Sequence, residues 1–82
     1  MKLLYFPHFI RSYKKAPAVV QRAFDKQSLL LLQNLRHPSL HAKKYNEAED
    51  LWQARVTGSW RFYFKIEGDT YRLEEIKAHP KT

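Results

Sequence analysis

The chain has 82 residues, of which 44% are hydrophobic, with two glycines, four prolines and no cysteine. That composition excludes disordered, collagen-like and disulfide-framework classes, and the length admits one compact domain, residues 1–82. Fifteen lysines and arginines against eight acids give a formal charge of +7, which points to anionic partners, nucleic acid foremost.

Lys2–Phe6 reads as a short strand ended by Pro7. Its apolar run stops well short of a signal peptide, and no segment approaches the ~20 apolar residues of a membrane span. Residues 8–15 place Phe9, Ile10 and Tyr13 at helical spacing, with Arg11, Lys14 and Lys15 on the other side. Pro17 opens a second helix, because proline suits a first turn and not an interior. This helix runs from Ala18 to about Asn34, with Val20, Ala23, Phe24 and Leu31 on a core-facing stripe. Leu29 to Leu32 are four consecutive leucines, more than one helix face can bury. Either the first helix covers the surplus in a hairpin, or a partner does.

Pro38 ends the helical region by biasing His37 away from α geometry. Residues 39–50 are polar, lack a period and read as a loop with at most one helical turn. Leu51–Val56, Trp60–Glu67 and Thr70–Lys77 are rich in aromatic and β-branched residues and form an antiparallel meander. A three-residue loop that pairs Val56 with Trp60 sets Trp52, Ala54, Val56, Trp60, Phe62, Phe64 and Ile66 on one face, the core face. Gln53, Arg55, Arg61, Tyr63 and Lys65 then share the other. A one-residue slip would put Arg55 among the phenylalanines at a large desolvation cost. Pairing Ile66 with Tyr71 and Phe64 with Leu73 while keeping Ile76 opposite Phe62 requires a bulge near Glu74-Glu75. The expected fold is α+β, an antiparallel sheet with a helical hairpin on one face, in the order β-α-α-β-β-β.

The open face carries the candidate chemistry. Arg55 and Arg61 fall on neighbouring strands, and His79 follows the third strand near the same end. Guanidinium groups bind phosphate bidentately and stabilise charge on a phosphorane, while imidazole moves protons near neutral pH. Together they suit phosphodiester cleavage by an internal 2′-hydroxyl, a reaction that needs no metal or other cofactor. The competing structural reading pairs both arginines with Glu74 or other acids across the strands. Lys43 and Lys44, beside Tyr45, and Lys65 offer contacts for nucleic-acid backbone, and Tyr63 offers a ring for base stacking. His37 and His41 have the spacing of a metal-binding helix face, but Pro38 breaks that helix, and no metal site is expected. The charge is asymmetric: residues 1–46 hold nine basic residues and one acid, residues 47–82 six and seven, which places the anionic partner near the first half.

The HPSL–KK segment, LWQARV, the strand W-R-F-Y-F, the turn Gly68-Asp69 and the terminal I-x-x-H, within residues 37–81, resemble RelE/ParE-superfamily toxins of bacterial type II toxin–antitoxin systems. The resemblance implies the microbial-ribonuclease type of fold and a cytoplasmic toxin neutralised by a cognate antitoxin. It also implies one of two activities, cleavage of ribosome-bound messenger RNA in the RelE branch or inhibition of DNA gyrase in the ParE branch. A degenerate member would only bind its antitoxin. Carried over by position, Arg61 matches the arginine on the scissile phosphate, and Arg55 falls near the basic positions of the preceding strand. His79 matches the terminal acid–base histidine, and Lys43 and Lys44 the basic segment. Pro80 stands where many members have tyrosine, and the glutamate base of certain relatives has no counterpart near Ala42 or Lys43. Leu29 and Leu32 are the candidate antitoxin contacts.

Overall fold

The computed structural model describes residues 1–79. Strand β1 (Lys2–Tyr5) leads into helix α1 (Pro7–Lys15) and helix α2 (Ala18–Gln33). A 3-10 turn (Pro38–Leu40) and strands β2 (Lys43–Asn46), β3 (Leu51–Thr57), β4 (Trp60–Glu67) and β5 (Thr70–Ala78) follow. The five strands form one sheet in the order β1-β5-β4-β3-β2.

This α+β architecture matches the expectation with two corrections. Residues 39–50 are not a loop, because they contain β2, which makes the order β-α-α-β-β-β-β. β2 lacks an apolar alternation because it is a four-residue edge strand, and charged edge strands resist pairing with other chains. The sheet is also not wholly antiparallel, since β1 pairs with β5 in parallel, Leu3 opposite Tyr71 and Tyr5 opposite Leu73. The intervening helices and strands supply the long crossover that a parallel pair requires.

The β3–β4 register is the expected one: Trp52 opposes Phe64, Ala54 opposes Phe62 and Arg55 opposes Arg61. The connection is shorter than the three-residue loop that alternation suggests, because Thr57 pairs with Trp60 and Val56 bulges. The bulge absorbs the odd residue and leaves Val56 on the core side, 5% exposed. Between β4 and β5 the expected bulge is present, with Phe64 on Leu73, Tyr63 on Glu75 and Phe62 on Ile76. Gly68 closes this hairpin at φ 59°, a left-handed conformation that favours glycine. Ile66, assigned to the core face by alternation, is exposed near the end of its strand.

The helices cover the apolar face, α1 on β5 and α2 on β3. Phe9, Phe24, Leu31, Leu40, Phe62, Phe64, Leu73 and Ile76 are fully buried there. Phe24 meets Phe62 edge-on at 5.1 Å, a favoured aromatic geometry. Two polar side chains tie the layers together. Ser12 Oγ accepts the Ile76 N–H at 3.1 Å beside the β5 bulge. Gln27 Nε2 donates to the carbonyls of Ser39 (3.0 Å) and Arg55 (2.9 Å).

The leucine run divides by helix periodicity. Leu31 is buried, Leu30 packs against the core, Leu32 is half-buried and Leu29 is 61% exposed. Helix α1 meets α2 through Phe9 and Tyr13 on Phe24, at an earlier turn, and leaves Leu29 uncovered. Among the described residues, no helix is long and apolar enough to cross a membrane.

Candidate active site

His41, Ala42, Lys43, Gln53, Arg55, Arg61 and His79 line one concavity of about 400 Å³ on the open face of the sheet. Strand pairing assembles it. Arg55 and Arg61 are directly opposed on β3 and β4, Lys43 opposes Gln53, and the His79 N–H donates to the Ser59 carbonyl at 2.6 Å. That last bond holds the end of β5 against the β3–β4 turn. His41 adopts a left-handed conformation, φ 47°, at the exit of the 3-10 turn. Among the described residues, no carboxylate lines the cavity.

Like charges facing each other across a pair of strands repel, and several other cations of this sheet have acidic partners. Lys44 holds Asp50 at 2.9 Å and Glu47 at 3.7 Å, and Arg72 holds Glu67 at 2.9 Å and Glu74 at 2.8 Å. Lys77 and His8 approach Glu75, and Lys2 approaches Asp69. Among the described residues, Arg55 and Arg61 have no acid within 4.0 Å. The cross-strand pairing with Glu74 is therefore not observed.

Arg61 folds one nitrogen onto the turn, Nη1 donating to the carbonyls of Thr57 (2.7 Å), Gly58 (3.3 Å) and Trp60 (3.0 Å). Arg55 Nε is buried and has no hydrogen-bond partner among the described residues. A buried, unmatched donor on a charged group costs roughly 1–3 kcal/mol. The hollow thus gathers two guanidiniums without a carboxylate partner among the described residues, a lysine and two imidazoles, groups whose chemistry suits an anion.

The structure thus brings together Arg55, Arg61, His79 and Lys43. It separates three other candidates from them. Lys44 lies on the opposite face over the Trp52 ring, 5.5 Å from its centroid, and is engaged by Asp50 and Glu47. Lys65 lines a different hollow with Glu49, Glu74 and Glu75. Tyr63 is 4% exposed, its hydroxyl accepting from Gln53 Nε2 at 3.1 Å, which leaves no open ring for a base. Four of the seven lining residues come from the second half of the chain and three, His41, Ala42 and Lys43, from the more basic first half.

Sequence reasoning missed His41 and Gln53 as lining residues and Gln27 as their support. Sequence spacing relates His41 only to His37, whose ring Nδ1 accepts the Ser39 N–H at 3.2 Å and caps the 3-10 turn. The signal for Gln27 was its position on the apolar stripe of α2, four residues before Leu31. Pro80 lies outside the described residues.

No family model and no curated protein sequence matches this chain. Solved structures do. A YoeB/ParE toxin from Agrobacterium tumefaciens superposes with a TM-score of 0.80 at 14% identity, covering 98% of this chain and 100% of that one. YafQ from Escherichia coli gives 0.77 at 18% identity, covering 93% and 90%. The archaeal RelE–RelB complex from Pyrococcus horikoshii gives 0.78 at 14% identity, covering 99% and 97%. The chain has the RelE/ParE toxin fold. Within the RelE/ParE fold, this chain's cavity occupies the sheet face that the helices leave open. A shared fold does not assign an activity, so the function is argued from the cavity's own side chains.

Proposed function

We propose that this protein is the toxin of a type II toxin–antitoxin module, a cytoplasmic endoribonuclease that cleaves ribosome-bound messenger RNA. The observation that carries this reading is the opposed Arg55–Arg61 pair, without acids, in a cavity that also holds His79 and Lys43.

The scissile phosphate sits against both guanidiniums, with Arg61 stabilising the charge that develops on its oxygens. His79 takes the proton of the adjacent 2′-hydroxyl, and the 2′-oxygen attacks phosphorus. The bond to the 5′-oxygen breaks, and that oxygen receives a proton from the second imidazole, His41. The products are a 2′,3′-cyclic phosphate and a 5′-hydroxyl end. Lys43 holds the backbone beside the reacting phosphate, and Lys65 contacts it further along the open face.

A cognate antitoxin is the expected protein partner, and the complex from Pyrococcus horikoshii pairs a chain of this fold with RelB. Leu29 and Leu32 share one face of α2 and supply apolar surface for it. Leu29→Glu should leave folding intact and weaken neutralisation, and unchanged neutralisation would remove these leucines from the interface.

Mapping new messenger-RNA 5′ ends shortly after induction tests the main reading. Ends inside translated codons, lost in Arg61→Ala, are expected. Unbroken messages with damaged DNA and arrested growth would replace it with gyrase inhibition.

A further inference from the structure

Tyr45 is an exposed aromatic that the fold takes trouble to orient. It is the bulged residue of β2: Lys44 pairs with Trp52 and Asn46 with Leu51, which leaves Tyr45 out of the ladder. A bulge of this kind re-aims the side chain it carries. The turn beyond it is clamped by Lys44 on Asp50 at 2.9 Å and by Asn46 Nδ2 on Glu49 at 3.1 Å. The ring stands edge-on to Tyr63 with centroids 5.1 Å apart and an interplanar angle of 68°. Tyr63 is buried, bonded to Gln53 and flanked by Lys77 at 5.3 Å, so it is a fixed backstop. Tyr45 nevertheless remains 56% exposed.

Its position gives that exposure a use. Lys43, which lines the phosphate cavity, precedes Tyr45 by two residues, so both side chains fall on the open face about 7 Å apart along the strand. That separation is close to the distance between a phosphate and the base of its own nucleotide. Gln53 and Tyr63 connect the cavity wall to the ring without a gap. We propose that Tyr45 is a base-stacking subsite: an unstacked base of single-stranded RNA lies on its free ring face while the neighbouring phosphate enters the Arg55–Arg61 cavity. This rests on the ribonuclease reading for its ligand class and adds the residue that positions the nucleotide. Stacking on an aromatic platform tolerates any base, so Tyr45 contributes affinity and register.

A short single-stranded RNA with one 2-aminopurine and a 2′-deoxy block at the cleavage position reports stacking as fluorescence quenching and binding as a titration. Wild-type protein should quench the probe. Tyr45→Ala should lose the quenching and bind on the order of tenfold more weakly, while remaining folded. Tyr45→Phe and Tyr45→Trp should restore both readouts. Lys43→Ala should instead lower the salt dependence and keep the quenching. Equal affinity and quenching for Tyr45→Ala would overturn the subsite while leaving cleavage of an unblocked RNA by wild type to support the nuclease. Tyr45-dependent quenching by a protein that leaves ribosome-bound messages uncut would keep the subsite and overturn the nuclease. Absence of RNA binding by wild type would overturn both.

Discussion

Arg55 and Arg61 face each other across β3 and β4 while the acids of the same sheet are engaged by Lys44, Arg72, Lys77 and His8. Among the described residues, the sheet therefore leaves two facing guanidiniums without a carboxylate at one place while pairing Lys44, Arg72 and Lys77 with acids elsewhere. An arrangement that costs folding energy and bears on one concave site is the pattern of a functional constraint.

The cost is measurable. Arg55→Met removes one member of the opposed pair together with the orphaned Nε donor, and it should stabilise the protein. Relief of about 1 kcal/mol corresponds to a rise of roughly 4–8 °C in a domain of this size. Added phosphate should raise the melting temperature of wild type more than that of Arg55→Met, since only wild type retains both guanidiniums. A melting curve that falls for Arg55→Met would show that its stem packing outweighs the repulsion.

Arg61 has a double task, because Nη1 ties down the β3–β4 turn while its charge faces the cavity. Arg61→Ala should fold with a modest loss of stability, about 1 kcal/mol for the turn bonds. Cleavage should fall by roughly 10²–10³-fold, as for removal of one charge-stabilising donor. Arg61→Lys keeps the charge but not the fork and should recover only part of the rate. Single-turnover cleavage compared with thermal melting separates the two roles.

Gln27 is 6% exposed and satisfies two backbone carbonyls, of Ser39 and Arg55, that lie on separate segments of the cavity wall. Gln27→Leu leaves both acceptors unmatched and should destabilise the fold by roughly 2–4 kcal/mol. Faster amide exchange at His41 and Lys43 than at Phe64 would locate the loosening at the cavity. Uniform exchange changes would argue that Gln27 acts on global stability alone.

Acid should loosen the β2 turn before the rest of the sheet. Hydrogen bonding and attraction from Lys44 hold the Asp50 carboxyl below its usual range, and the same bond raises the Lys44 ammonium. A lowered carboxylate contributes above its unfolded value and loses that contribution as pH falls through the folded one. The raised ammonium contributes below its unfolded value and loses it as pH rises through the folded one. The pair is therefore intact across neutral pH and weakens below the usual carboxylate range and in strong alkali. Amide exchange at Tyr45 and Asn46 should show this, and Asp50→Asn should abolish the acid limb. Asparagine suits the site because residue 50 sits at φ 55°.

The β3–β5 meander was legible in the residues because period-two alternation and desolvation of arginine act locally. Only one register hides Phe62 and Phe64 while freeing Arg55, and only a bulge near Glu74 keeps Ile76 beside Phe62. The helices were legible from Pro7, Pro17 and the stripe through Val20, Phe24 and Leu31. Tertiary structure decided the rest. β2 exists through pairing with β3 and has no pattern of its own, and β1 is parallel because its partner lies at the far end of the chain. Composition fixes how many acids the second half holds, but three-dimensional proximity assigns Glu74 to Arg72 and Asp50 to Lys44, away from Arg55 and Arg61. The same long-range closure brings His41 to the cavity of His79 and turns Tyr63 from a surface ring into the buried support of Tyr45. Side-chain identity and spacing determine which face a residue occupies; which partner it meets there depends on contacts between segments far apart in the chain.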